Sequence, residues 1–185
     1  MSNNQTHSKT TYLVLCSLFA ALLAVCSYIT IPLPFTPVPV NLGTLGVFLA
    51  GGVLGRKYGS VCVAVYILMG AVGIPVFAGF QGGIGVLAGP TGGYIVGYLA
   101  AAFAIGAILD ARMKLAGKKT FILCVCAMAI GLAICYTLGT LWFMTLMNTN
   151  LWASLLACVI PFIPGDIIKI AAGALLVRKL RPLIL

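Results

Sequence analysis

Acidic residues and histidine are almost absent from this sequence. The 185 residues include two Asp+Glu and one His, and charged residues make up 7% of the chain. Soluble domains carry roughly 25% charged residues, so this composition excludes an ordinary water-facing surface. Two acids, which the charge pattern below places far apart, cannot form the paired carboxylates of an enzyme site. We therefore predict no catalytic residue.

Metal, redox and nucleotide motifs are also missing. All seven cysteines lie in apolar runs, and Cys124-x-Cys126 lacks the C-x-x-C spacing of zinc or redox sites. His7, the only histidine, lies in a polar tail. Gly117-Lys-Lys-Thr120 lacks the G-x-x-x-x-G-K-[ST] pattern of a phosphate-binding loop. We expect no metal, disulfide or cofactor, and no ATP hydrolysis by this chain itself.

Long apolar runs are what the sequence has in abundance, since 62% of its residues are hydrophobic. A helix needs about 20 mostly apolar residues to cross a bilayer. Continuous rather than alternating hydrophobicity excludes a β-barrel. The runs cover residues 11–31, 40–55, 58–75, 93–110, 119–146 and 153–177. They predict an all-α integral membrane protein with six transmembrane helices in a single domain, 1–185, whose residues 1–10 form a loose polar tail.

Basic residues occur at every second connection. The connections near 32–39, 76–92 and 147–152 carry no charge. Since basic loops stay in the cytoplasm, we expect both termini there, in a multi-pass protein of the plasma membrane. The net charge of +9 then reflects anchoring at the lipid bilayer rather than nucleic-acid binding. Ten of the eleven basic residues follow this pattern: Lys9, Arg56, Lys57, Arg112, Lys114, Lys118, Lys119, Arg178, Lys179 and Arg181.

One acid and one base lie deep in the last apolar run, in PFIPGDIIKI. Asp166 is about 18 Å from Arg178 along a helix, near the middle of a hydrocarbon layer of about 30 Å. A charge at that depth costs at least about 2.5 kcal/mol. The i, i+3 spacing places Asp166 and Lys169 on one helix face. They form an internal ion pair, a polar binding site, or both.

Two prolines precede this pair. Pro161 and Pro164 interrupt the helix, and Pro164-Gly-Asp166 is typical of a helix start. Asp166 would then lie in the first turn, where the helix dipole favours a carboxylate. Irregular backbone at this depth requires protein or a water-filled cavity beside it. We therefore expect a cavity that opens toward the uncharged outer side.

The segment 73–94, GIPVFAGFQGGIGVLAGPTGGY, is too rich in glycine to be one helix. It is either an ordinary outer loop or a loop that folds inward and lines the cavity, and its apolar composition favours the second. Its glycines permit a close approach of backbone to ligand. The candidate ligand-binding residues are Gln81 and Tyr94 as hydrogen-bonding groups, Phe77 and Phe80 as packing surfaces, and Gly82 and Gly83.

Two further segments suggest structural roles. The proline-rich loop IPLPFTPVPVN, residues 31–41, is stiff and extended. It is either a lid over the cavity or a rigid connector. On the first span, Ala20 and Ala24 form a small-xxx-small stripe of the kind that lets helices approach closely. This stripe packs within the chain or against another subunit.

Three segments make the chain resemble a known family: PFTPVPVNLGTLGVFLAGGVLG (34–55), LAGPTGGYIVGYLAAAF (87–103) and FIPGDIIKI (162–170). They resemble the BioY family, the biotin-specific S components of energy-coupling-factor (ECF) vitamin transporters. The resemblance covers nearly the full length.

The resemblance implies that the chain captures biotin at the extracellular side. It implies delivery inward with a transmembrane coupling subunit and two cytoplasmic ATPase subunits, with Ala20 and Ala24 as the docking surface. It assigns biotin contacts to Asp166 and Lys169, and a polar contact to Gln81. The family often has Gln where this chain has Gly43, so Asn41 or a water would replace that contact.

One alternative function remains open at the level of sequence. A stand-alone transporter or facilitator for biotin or another small polar vitamin would use Asp166 as a proton-linked site. Dependence of uptake on a proton gradient distinguishes it from an ATP-driven system.

Overall fold

A computed structural model describes residues 9–34, 36–112 and 118–184. The expected tail mostly lies outside these ranges, as do His7, Lys114 and the end of the chain. The first helix begins at Lys9, within the last two residues of the predicted tail.

The described chain is a bundle of helices with one small ribbon. Helices α1 (Lys9–Tyr28), α2 (Gly43–Ala71), α4 (Gly92–Arg112), α5 (Lys118–Met147) and α7 (Ile163–Ile184) are long. Helices α3 (Ile84–Ala88) and α6 (Leu151–Cys158) are short. Strands β1 (Thr30–Ile31) and β2 (Val40–Asn41) pair antiparallel, with Thr30 opposite Asn41.

Five helical stretches are long and apolar enough to cross a membrane: Thr10–Tyr28, Gly43–Ala71, Gly92–Arg112, Lys119–Met147 and Leu151–Ile184. Their exposed surface carries many large apolar side chains, such as Leu13, Leu68 and Phe103. Such a surface suits lipid rather than water. The predicted class, an all-α membrane protein, is confirmed in this coarser form.

Helix α2 is broken inside its length. Gly55 has φ +75°, a conformation that glycine adopts readily. A Cβ added to Gly59 would lie 2.8 Å from Gly51 Cα, whereas residues eight apart in a continuous helix are about 12 Å apart along its axis. The chain therefore reverses at Gly55, and two arms, residues 43–54 and 56–71, lie side by side. The predicted division between the second and third apolar runs coincides with this break.

An ion pair covers both helix ends exposed at the break. Arg181 Nη1 donates to the Gly52 carbonyl at 2.7 Å, and Arg181 Nη2 lies 2.5 Å from Asp110 Oδ1. The other carboxylate oxygen of Asp110 accepts from the Arg56 N–H at 3.0 Å. Helix dipoles favour a cation at a C-terminus and an anion at an N-terminus. The pair thus supplies hydrogen-bond partners for a carbonyl at the end of one arm and for an N–H at the start of the next.

The last apolar run is interrupted, as the two prolines predict. Helix α6 ends at Cys158, and a short 3-10 turn, Ile160–Phe162, leads into α7. Helix α7 starts at Ile163, so Asp166 lies in its first turn. The first arm of α2 packs against α7, since a Cβ on Gly52 would lie 2.5 Å from Val177 Cγ2.

We predict that Asp110→Asn destabilises the protein, because it leaves the Arg181 guanidinium, 6% exposed, without its anion. Hydrogen bonds to charged groups contribute about 1.5–3 kcal/mol each. A lower midpoint of thermal unfolding in detergent is the expected result. The matched control is Arg178→Gln, an exposed residue one turn away, which should leave the midpoint unchanged. Equal midpoints for Asp110→Asn and wild type would contradict the capping role.

Candidate ligand-binding site

Asp166 and Lys169 form an ion pair, with Lys169 Nζ 2.8 Å from Asp166 Oδ1. Asp166 is 2% exposed and Lys169 is 6% exposed. Both project from the first two turns of α7 toward the start of α2. The predicted common helix face is therefore confirmed. At such burial a charge persists only when it is paired and hydrogen-bonded.

Neighbouring elements complete the hydrogen bonds of the pair. Lys169 Nζ also donates to the Asn41 carbonyl at 2.6 Å and to Thr44 Oγ1 at 3.2 Å. Thr44 in turn donates to Asp166 Oδ1 at 3.2 Å, and the Tyr136 hydroxyl donates to Asp166 Oδ2. All three N–H groups of Lys169 are thus engaged, while Asp166 Oδ2 can accept one more donor.

A cavity of about 360 Å³ lies beside the pair. This volume is within the range of small-molecule sites, about 300–1,000 Å³. Residues of the charge-free connections near 32–39 and 76–92 line it, and the Asp110–Arg181 pair lies toward the opposite ends of α4 and α7. The expected polar pair facing a cavity is confirmed. The same two residues also form the internal ion pair that was the alternative interpretation.

Most of the residues predicted from the sequence reach this cavity. The proline-rich loop contributes Pro32, Leu33 and residues 36–39 to the lining, and its role as a lid stays a prediction. Six predicted side chains also contribute to the lining: Asp166, Lys169, Gln81, Tyr94, Asn41 and Phe77.

Gly82 and Gly83 are not among the residues that line the cavity, and their ligand contact stays a prediction. Gly83 has φ +96° and donates its N–H to the Gly70 carbonyl at 2.6 Å. A Cβ on Gly82 would lie 2.5 Å from the Ile74 carbonyl oxygen. Both glycines shape the turn that holds Gln81 and Phe77. Phe80 is also absent from the lining of the cavity. Its side chain is 66% exposed and stacks on Tyr28.

Ala20 and Ala24 are buried, at 4% and 7% exposure. Their side of α1 packs on α2, where Gly46 leaves room for Leu23. The prediction that these two alanines form an exposed docking stripe is therefore wrong. The alternative interpretation, packing within the chain, is confirmed. The methyl groups face inward because the outer face of α1 carries Leu13, Leu18 and other exposed side chains.

Several polar lining residues were missed by the sequence reasoning. Thr44 and Tyr136 donate to Asp166, and the Tyr98 hydroxyl donates to Asn41 Oδ1. The sequence signal for these residues was a hydroxyl-bearing side chain, Thr or Tyr, within an apolar run. That signal is weak, because such side chains also occur at ordinary helix contacts.

The chain is similar to known proteins over nearly its whole length. The BioY family model matches residues 1–185. A biotin transporter BioY of Thermotoga maritima is 39% identical over 171 residues, covering 92% of this chain and 96% of that protein. One from Rhodobacter capsulatus is 38% identical over 176 residues, covering 90% of each.

A solved structure agrees with the sequence comparisons. The S component for biotin from an ECF-type ABC transporter superposes with a TM-score of 0.87 at 31% identity, covering 98% of this chain and 95% of that one. The likeness includes the helical bundle that carries the cavity. The chain therefore belongs to the BioY family, a family of multi-pass membrane transport proteins.

Proposed function

We propose that this protein is the biotin-capturing S component of an ECF-type importer. The observation that carries the proposal is the Asp166–Lys169 pair, buried at the edge of a cavity of about 360 Å³. The named relatives are biotin transporters and the solved neighbour is an S component for biotin. Biotin is the substrate here, and no cofactor is required.

The chemistry of the cavity suits this vitamin. Biotin has a ureido ring with two N–H donors and a C=O acceptor, an apolar thiolane ring and a carboxylate tail. A ureido N–H can donate to the remaining lone pair of Asp166 Oδ2. Lys169 reaches a ligand oxygen only by exchanging one of its present bonds, which keeps its charge satisfied with or without ligand. Phe77, Tyr94 and Ile95 supply apolar cover.

We predict that protein purified without added vitamin contains biotin. We also predict that Asp166→Asn and Lys169→Ala each weaken biotin binding. Loss of one hydrogen bond to a charged group, about 1.5–3 kcal/mol, corresponds to about 10- to 150-fold in Kd. Calorimetric titration measures the effect. Lys179→Ala, an exposed residue on the same helix, is the matched control. A wild-type protein that does not bind biotin would refute the proposed function.

We propose six membrane crossings with both termini in the cytoplasm. Support comes from the reversal at Gly55, which divides one of the five long apolar stretches into two antiparallel arms. Arg56 and Lys57 at the reversal are exposed, as basic residues at a cytoplasmic turn should be. The cavity then opens to the outside.

This topology predicts which positions are labelled from outside the cell. Val72 is 77% exposed at the far end of the second arm, so Val72→Cys should react with an impermeant maleimide in intact cells. Lys57→Cys and Lys179→Cys should react only after permeabilisation. The native cysteines are replaced in all three variants. Labelling of Lys179→Cys in intact cells would exclude a cytoplasmic C-terminus.

We propose that a transmembrane coupling subunit and two cytoplasmic ATPases supply the energy. Family membership supports partners of the ECF type. With Ala20 and Ala24 turned inward, the small residues left on the exposed face of α1 are Ser17 and Ala21, at i, i+4 spacing. Small side chains there allow a partner helix to approach closely.

We predict that Ala21→Trp lowers co-purification of the ATPases and ATP-driven uptake while biotin binding is retained, because the ring blocks a close helix contact. Ile122→Trp on the exposed face of α5, where Ile122 is 59% exposed, is the control. Undiminished uptake in cells that lack all candidate ATPases would instead favour a stand-alone transporter that depends on a proton gradient.

A further inference from the structure

Asn41 has its backbone held directly beside the ion pair. The Asn41 carbonyl accepts from Lys169 Nζ at 2.6 Å. On the other side Asn41 pairs with Thr30 in the two-stranded ribbon, and the Leu42 N–H bonds the Ile29 carbonyl at 3.2 Å. The side chain of Asn41 therefore starts from a fixed point at the edge of the cavity.

The amide of Asn41 has one defined orientation. The Gly43 N–H donates to Asn41 Oδ1 at 2.8 Å, and the Tyr98 hydroxyl contacts the same oxygen at 3.4 Å. A backbone N–H can only donate, so the oxygen must face Gly43 and the NH₂ group must face away. Within the described ranges, no residue accepts a hydrogen bond from Asn41 Nδ2. Since Asn41 lines the cavity, two amide donors are available to a ligand.

Gly43 makes this arrangement possible. A Cβ at this position would lie 2.8 Å from Asn41 Oδ1, 2.9 Å from the Tyr98 hydroxyl and 3.1 Å from Ser27 Oγ. Any side chain at residue 43 would therefore occupy the space of the Asn41 amide. We call these two residues the Asn41–Gly43 unit. Because residue 43 has no side chain, the Asn41 amide can keep the orientation in which its NH₂ group is free to donate.

We propose that the Asn41–Gly43 unit recognises the carbonyl oxygen of the ureido ring and so selects cyclic ureas over cyclic guanidines. This inference rests on the proposed function. An N–H and the C=O of a ureido ring point to the same edge, as adjacent donor and acceptor. Asp166 Oδ2 supplies the acceptor and Asn41 Nδ2 the donor for that edge. All three Lys169 N–H groups are engaged, so of these two residues Asn41 is the donor that needs no exchange.

The test compares biotin with 2-iminobiotin, in which a protonated nitrogen replaces the ureido oxygen. Asn41→Asp keeps the oxygen that accepts from Gly43 but replaces the NH₂ donor by an anionic acceptor. We expect biotin affinity to fall at least tenfold. The guanidinium N–H of iminobiotin would meet a carboxylate, so the ratio of the two affinities should shift toward iminobiotin by at least tenfold relative to wild type.

A matched control is Asn150→Asp, which makes the same substitution at the N-cap of α6, where the side-chain oxygen accepts from the Ala153 N–H at 2.8 Å. Asp caps a helix as well as Asn, so the affinity ratio should stay at the wild-type value. Gly43→Ala tests the same unit without a new charge, and its displaced amide should lower the preference for biotin.

The outcomes separate the two proposals. An equal loss of affinity for both ligands in Asn41→Asp would place Asn41 on another part of the molecule and overturn the inference. Unchanged affinities in Asn41→Asp would also overturn it. If Asn41→Asp does not fold, an unchanged ratio in Gly43→Ala overturns it. A wild-type protein that binds neither ligand would refute the proposed function instead.

Discussion

The fold and the cavity both depend on how one buried ion pair is satisfied. A carboxylate and an ammonium group deep in an apolar layer need mutual attraction and further hydrogen bonds. Asp166 and Lys169 obtain these from Thr44 on α2, Tyr136 on α5 and the carbonyl of Asn41 at the end of the ribbon. The contacts that compensate for burial therefore also join three parts of the chain around the cavity. A ligand that exchanges one of these bonds acts directly on the packing of the helices.

The second ion pair gives α7 a matching attachment at its other end. Arg181 binds the Gly52 carbonyl at the end of the first arm of α2, and Lys169 binds next to the start of that arm. The fifteen residue steps from Asp166 to Arg181 span about 22 Å of helix. At the second attachment Gly52, which has no side chain, lets Val177 of α7 approach the first arm closely. Helix α7 and the first arm are thus joined by polar contacts near both ends, and close packing at Gly52 and Val177 adds to them.

The sequence was sufficient for features that depend on local composition. Apolar runs predicted the helices, Pro164 predicted the restart before Asp166, and the isolated charges predicted the site. Contacts between helices were harder to predict, since nothing near Tyr136 or Thr44 in the chain indicates that both reach Asp166. Ala20 and Ala24 show the same limit: a small-residue stripe predicts close packing but not which side of the helix the partner occupies. Gly82 and Gly83 were assigned to a ligand because a glycine-rich turn and a glycine-lined pocket have the same composition.

The short first arm of α2 explains where the cavity comes from. Its twelve residues, 43–54, are about 18 Å long, whereas the hydrocarbon layer is about 30 Å thick. The arm is almost entirely buried, so lipid does not contact it and no mismatch with the bilayer arises. The proline-rich loop and the cavity both lie next to the start of this arm, where Asn41 and Thr44 line the cavity. The chamber therefore exists because the first arm is short. A longer arm would fill the same space with protein.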